Sequence, residues 1–326
     1  GTSTDVALLD GKIRTSNESS IASYPIAVPM VDMETIGAGG GSVAFVDTGG
    51  MLQVGPRSAG ADPGPACYDR GGEEATVSDA NLVLGRLQFD TALAGDLKLS
   101  LQKARVSIEP LAERIGLSIE ETALGIIDIA NEHMAKAIRL ISVNKGHDPQ
   151  EFILASFGGA GSLHVCALAD AMGMRDAIVP VHGGVLSALG MVVAEQGRQF
   201  SKTLSLDTEQ IDEQELEQQY TSLVQRGIAQ LASEGLPEFM LVSNRSADLR
   251  YKGQSYTLNV DFTSIAEAVK AFQELHRQRY GYSHDVPVEL LTIRVNVSTR
   301  RARFFMPEHI ANTSCNMPSN ARSMVR

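Results

Sequence analysis

The chain has 326 residues, 43% hydrophobic and 21% charged, the profile of a folded protein with room for two domains. It carries 28 basic residues against 39 acidic ones, a formal net charge of -11 without a basic stripe, which argues against nucleic-acid binding. No apolar run approaches the ~20 residues of a membrane helix, and Cys67, Cys166 and Cys315 lack disulfide or zinc spacing, so a cytoplasmic protein with no membrane partner is expected.

The first elements read as β structure. Asp5–Leu9, the turn Asp10-Gly11 and Lys12–Arg14 predict one hairpin, and Val43–Asp47 with Met51–Val54 predict another around Thr48-Gly49-Gly50. Residues 55–72 are rich in Gly, Pro and Ala without a period, as in a functional loop. A short helix capped at Ser78-Asp79 is expected to reach Leu87, and a second, over 99–116, is expected to break at Pro110. Ser118 and Glu121 form a capping box ahead of the longest helix. There Ile119, Ala123, Ile126, Ile127, Ala130, Met134, Ala137, Ile138 and Ile141 fall on one face.

Phe152–Phe157 predicts a buried strand that empties through Gly158-Gly159-Ala160-Gly161 into a helix. A strand at 177–180 and a helix at 187–194 follow. Beyond Gly197 the expected elements are a charged helix over 211–235, strands near 240–251 and 255–262, a helix near 264–279 and a strand at 289–300. The chain from Ile310 is expected to fray. The predicted domains are therefore α/β over 1–198 and a smaller α+β unit over 199–326.

Three glycine-rich segments carry the candidate chemistry. Thr2, Ser3 and Thr4 beside Asp5 can wrap a phosphate chain, with Asp5 holding a divalent cation or its water; a plain polar turn is the structural alternative. Gly158–Gly161 allows a ligand close to the backbone, or else a tight strand–helix crossing; His164 follows one turn later, more in keeping with a structural histidine than a base. Gly37–Ser42 and Val54–Tyr68 suit a substrate or intersubunit loop. In it Arg57 would meet an anion and Asp62 a metal or substrate N–H, unless the two pair to pin the loop.

Taken together the segments resemble the hydantoinase A / 5-oxoprolinase family, which is related to acetone and acetophenone carboxylase subunits. The strings are GTSTDVALLDGKI at 1–13, TIGAGGGSVAFVD at 35–47, VGPRSAGADPGPACYDRGG at 54–72, VSDANLVLGRL at 77–87, ANEHMAKAIR at 130–139, FGGAGSLHV at 157–165 and VLSALGMVVAE at 185–195. Glu34 stands where relatives often carry His, Ser162 where Pro is usual and Asp69 where Gly is usual.

The resemblance implies a ribonuclease-H-like half of an actin/hexokinase/Hsp70-type ATPase fold, with the other half preceding Gly1. It implies ATP with Mg2+ or Mn2+: Gly1, Thr2, Ser3 and Thr4 at phosphate, Asp5 at the metal, and Gly158, Gly159, Ala160 and Gly161 at adenosine. The implied function is ATP-dependent opening of a small cyclic amide with a hydantoinase B-type subunit or fused region as partner; homo-oligomers are possible. A ketone carboxylase subunit, a sugar-kinase-like or chaperone-like ATPase and a non-catalytic scaffold are the alternatives.

Overall fold

The computed structural model describes residues 1–11, 13, 15–16, 19–21, 24–26, 30–89 and 97–300. Among these no helix is long and apolar enough to cross a membrane. The chain divides into two compact units, the first over Gly1–Ser187 and the second over Ala188–His309.

The first unit opens with β1 (Thr4–Ala7), followed by the short strands β2 (Thr15–Ser16), β3 (Ser19–Ile21), β4 (Tyr24–Ile26) and β5 (Met30–Val31). β6 (Met33–Ile36) returns antiparallel to β1, with Asp5 opposite Thr35. The predicted tight turn at Asp10-Gly11 is present, spanned by an antiparallel bridge between Leu9 and Ile13, but β1 itself pairs with a strand some thirty residues on, and of 12–14 only Ile13 is described. Lys12 and Arg14 lie outside the described residues.

β7 (Ser42–Val46) and β8 (Leu52–Ser58) form the expected second hairpin, extended into the Gly/Pro segment as far as Ser58. Asp47 closes its turn by accepting the N–H groups of Gly49 and Met51, each at 2.9 Å.

Three helices cover this hairpin. α1 (Val77–Val83) starts two residues earlier than a Ser78 cap would give and ends four residues short of Leu87, because Thr76 is its cap and Asp79 the third helical residue of a capping box. α2 (Leu101–Ile115) runs unbroken through Pro110. The carbonyl that Pro110 frees belongs to Val106, which is exposed, so water can satisfy it. α3 (Ile119–Ile141) has the predicted Ser118/Glu121 box and buries all of the predicted face except the half-buried Ile119.

α3 organises the unit. Its first half packs Ala123, Ile126, Ile127 and Ala130 against Ala44, Val54, Val77 and Ile108. Its second half packs Met134, Ala135 and Ile138 against Ala38, Leu168 and Met172. Each buried Ile contributes about 1.5–3 kcal/mol of transfer free energy, so this one helix clamps the β7–β8 hairpin and the end of β6 to a common frame.

β9 (Leu154–Ala155), α4 (Val165–Met172) and β10 (Ala177–Ile178) make a small parallel strand–helix–strand unit, followed by α5 (Leu186–Val193). The strand expected to be buried is only two residues long, and Ile153 and Phe157 are exposed. α4 packs on it, and among the described residues β10 is its one strand neighbour.

The second unit is a four-stranded antiparallel sheet, β11 (Gly197–Asp207), β12 (Leu241–Tyr251), β13 (Leu258–Asp261) and β14 (Val288–Thr299), in the order β11-β14-β12-β13. α6 (Glu213–Ser233) and α7 (Ile265–Tyr280) supply Tyr220, Leu231 and Phe272 to a core with Tyr251, Leu290, Ile293 and Val295. β11 has no counterpart among the sequence expectations.

Candidate functional site

The pairing of β1 with β6 sets Gly1–Asp5 beside Gly37–Gly41. Gly41 N–H donates to the Gly1 carbonyl at 2.8 Å, and Thr4 Oγ1 donates to the Ala38 carbonyl at 2.7 Å. A Cβ at Gly39 would lie 2.7 Å from the Gly1 carbonyl oxygen and 3.1 Å from Ser3 N, so no side chain fits there. At Gly40 the same atom would lie 2.8 Å from Ser78 Oγ, 3.8 Å from Ala160 Cβ and 4.0 Å from Gly1 N. All three glycine-rich segments therefore meet around Gly40. The 54–72 loop joins them through Ala59 N–H, which donates to the Gly41 carbonyl at 2.8 Å.

Individual site residues differ in what they have free. Asp5 is exposed and accepts from Thr35 Oγ1 at 2.7 Å on one oxygen. Thr2 and Ser3 are exposed, whereas the Thr4 hydroxyl hydrogen is committed to Ala38. Gly158 and Gly159 are exposed; Gly158 adopts φ +95° and donates to the Gly183 carbonyl at 2.9 Å. Gly161 sits so close to Ser156 that a Cβ would come within 2.5 Å of its hydroxyl.

Arg57 is not among the groups at Gly40. It alternates with Ser58, whose hydroxyl faces Gly41, and its guanidinium is held on both nitrogens by Glu74, so the alternative in which Arg57 and Asp62 pair to pin the loop is overturned. That pair holds the Arg57 pKa above and the Glu74 pKa below their ordinary values. Asp62 is exposed, and among the described residues its side chain makes no hydrogen bond or ion pair.

No group of three or more His, Cys, Asp or Glu that could hold a metal occurs among the described residues. Asp5 alone fits Mg2+, which keeps water and phosphate oxygens and needs few protein carboxylates. The glycine-lined backbone around Gly40 and the open Gly158-Gly159 turn suit close approach of a polyphosphate.

Residues 1–199 match the family model described as hydantoinase/oxoprolinase. The chain belongs to this family. Its hydantoinase/oxoprolinase relatives include caprolactamase subunit alpha of Pseudomonas jessenii, 39% identical over 94% of this chain and 46% of that one. A 5-oxoprolinase of Pestalotiopsis fici is 34% identical over 90% of this chain and 24% of its own length. The chain thus spans about half or a quarter of these relatives. Among solved structures, the ATP-dependent caprolactamase from P. jessenii superposes with a TM-score of 0.83 at 37% identity, covering 94% of this chain and 46% of that one. Nucleotide-free acetone carboxylase gives 0.69 at 26%, covering 92% and 45%. The mixed α/β class is common to all three.

Further residues support or adjoin these segments. Burial of the Tyr68 phenol is the main cause of its raised pKa, opposed by the Ser78 side chain, which abuts Gly40. Asp79, fully buried, accepts from Cys67 N–H at 2.7 Å and Thr76 N–H at 2.8 Å, tying the 54–72 loop to α1. Burial, reinforced by Asp79, raises the Cys67 thiol well above its ordinary pKa and leaves it a poor nucleophile. Glu34 is half-buried opposite Val6, on the other face of the ladder from Asp5. His164 is 1% exposed, and its Nδ1–H donates to Asn131 Oδ1 at 2.7 Å. Burial first, and the charge of Arg86 second, push its pKa down to about 4, so it is neutral at pH 7.

Proposed function

We propose that the chain is the phosphate- and adenosine-binding half of an ATP-dependent cyclic amidohydrolase. The observation that carries this reading is the meeting of Gly1, Gly40 and Ala160 in one place, in a chain of the hydantoinase/oxoprolinase family. Residues 1–198 would be the C-terminal ribonuclease-H-like half of an actin-like ATPase, and 199–326 an α+β domain. Thr2 and Ser3 would donate to phosphate oxygens, Asp5 would hold Mg2+ or its water, and Gly158–Gly161 would lie against adenosine. The metal would supply charge neutralisation at the phosphates.

An unstrained amide resists hydrolysis, and ATP removes that difficulty. The ring carbonyl oxygen attacks the γ-phosphorus, the bond to ADP breaks, and the imidate phosphate so formed takes up water. The ring C–N bond of that adduct then opens as the nitrogen takes a proton, and a second water hydrolyses the resulting acyl phosphate, releasing phosphate and the ring-opened acid. Such transfer depends on positioning and charge stabilisation, which a rigid glycine-lined backbone provides. Water attack would draw on a hydantoinase B-type subunit or fused region. A ketone carboxylase is the second reading, supported by the acetone carboxylase fold.

The test is phosphate release by the complete polypeptide with its partner, given caprolactam, 5-oxoproline, hydantoin, or acetone with labelled bicarbonate. Phosphate release matched to ring opening is the expected result, and Asp5→Asn should lower it about a hundredfold. Label fixed into an acid product would replace this reading with the carboxylase. An Asp5→Asn enzyme of full activity would remove Asp5 from the metal site.

A further inference from the structure

Ser78 stands where the glycine-rich segments meet, and the scheme above gives it no role. A Cβ at Gly40 would lie 2.8 Å from Ser78 Oγ, 3.8 Å from Ala160 Cβ and 4.0 Å from Gly1 N. One position thus touches the Ser78 hydroxyl, the start of the first segment and the Gly158–Gly161 turn. Ser78 N–H donates to the Gly40 carbonyl at 2.8 Å, which seats α1 directly on the glycine segment. That N–H is thereby spent, and the hydroxyl is the donor that Ser78 has left to offer. The residue is half-buried, so the hydroxyl is supported without being sealed in.

The frame that carries this hydroxyl is held from several sides. Thr76 and Asp79 close the capping box of α1, and Asp79 also accepts Cys67 N–H at 2.7 Å. Thr76 bridges to Val43, and Ala44 N–H donates to the Ala75 carbonyl at 2.8 Å, which joins the same turn to β7. Val77 is buried in the cluster built around α3. A short side chain on so fixed a backbone loses little freedom when it meets a ligand.

The neighbouring polar groups are engaged in holding backbone. Thr4 Oγ1 donates to the Ala38 carbonyl at 2.7 Å, and Ser42 Oγ accepts Gly39 N–H at 2.9 Å. Ser58 Oγ accepts Gly60 N–H at 3.1 Å. Both Asp79 oxygens are turned to Cys67 and Thr76, so the carboxylate next to Ser78 is not aimed at an anion beside Gly40. A serine oxygen accepts as well as donates, so the Tyr68 phenol, protonated at neutral pH, can use a lone pair and leave the Ser78 proton for a ligand.

We propose that Ser78 is a nucleotide-binding residue whose hydroxyl donates to an α-phosphate oxygen. The inference rests on the reading of Gly1–Thr4 as the phosphate segment and Gly158–Gly161 as the adenosine segment. Ser78 lies beside both, and the part of ATP that joins its terminal phosphates to adenosine is the α-phosphate. The contact makes and breaks no covalent bond and is the same in ATP and ADP, so it serves binding and not the transfer step.

The test compares Ser78→Ala, Ser78→Thr and Ser78→Cys in the complete polypeptide. The readouts are calorimetric binding of ADP, KM and kcat for ATP and for the cyclic amide, and urea midpoints. Ser78→Ala should weaken ADP and raise the KM for ATP by a similar factor, about tenfold, as expected for losing a hydrogen bond to a charged group. Its kcat and its KM for the cyclic amide should stay near wild type. Ser78→Thr, which keeps the hydroxyl, should restore ADP binding. Should Ser78→Ala not fold, Ser78→Cys, a weaker donor, must still weaken ADP about threefold for the inference to stand. A lowered urea midpoint with unchanged ADP binding would make the hydroxyl a packing group and overturn the inference. A KM rise confined to the cyclic amide would overturn it too, as would a wild-type polypeptide that binds no ADP. Ring opening that proceeds without ATP would remove the proposed function, whereas ADP binding weakened in Ser78→Ala would uphold the role of Ser78 even then.

Discussion

At Gly39 and Gly159 the same residue type does two different jobs. Gly39 is buried, and its missing side chain is what lets the Gly1 carbonyl and Ser3 N approach; Gly159 is exposed with open space around it. Gly39→Ala should therefore cost about 1–3 kcal/mol through overpacking against rigid backbone, whereas Gly159→Ala should unfold at nearly the wild-type denaturant midpoint. Equal midpoints would show that the close approach at Gly39 is dispensable. His164 makes a pH prediction. Its folded pKa of about 4 lies below the ordinary value of 6.5, so between those limits the unfolded chain binds a proton that the folded chain does not. Stability should fall as pH drops from 6.5 toward 4, by about 3 kcal/mol for this group at most. The difference in urea midpoint between wild type and His164→Gln should be constant above pH 6.5 and shift against the wild type between pH 6.5 and 4; parallel curves across that range would mean that His164 is not buried neutral.

Among elements, the legible ones had strong local signals. The α3 face and its Ser118/Glu121 box are a matter of spacing within one helix, and no distant residue is needed to read them. β11 was not legible, because only Phe200 along its eleven residues is buried and the rest of the strand reads as polar. It is a strand because β14 presents it with a ladder from Gly197 to Asp207, interrupted only by a bulge between Thr203 and Leu206. Across the middle of that sheet, Arg294 on β14 donates to Asp248 on β12 at 2.6 and 2.8 Å, and Asn259 on β13 donates to the other Asp248 oxygen at 2.8 Å. With the Asp248 side chain 6% and the Arg294 side chain 17% exposed, removing one partner strands the other. Asp248→Ala should cost about 3–5 kcal/mol, and Asp248→Leu with Arg294→Met should recover much of it. Chemical denaturation of both variants checks this, and a neutral Asp248→Ala would mean that solvent reaches the pair.

For the whole molecule, the second unit has a core of its own, with Tyr220, Tyr251, Phe272, Leu290, Ile293 and Val295 all within 1% of full burial. Residues 188–309 expressed alone should unfold in a single cooperative transition, followed by denaturant with two spectroscopic probes. A gradual, probe-dependent loss of signal would show that this core depends on the rest of the chain.

The sequence by itself determined the family, the helices and the identity of the glycine-rich segments, because each rests on residue types at short, fixed spacings. Tertiary structure alone decided which of those segments meet. Nothing local says that β1 passes over the turn at Asp10 to pair with Met33–Ile36, yet that pairing is what brings Gly1 to Gly39–Gly41. The same holds for Arg57. Its partner is Glu74 rather than Asp62 because strand alternation points it away from Ser58 and Gly41, and the direction of a side chain is a property of the ladder it joins. His164 and Asn131 are likewise set together by the packing of α4 on α3, a contact between segments whose sequences carry no mark of each other.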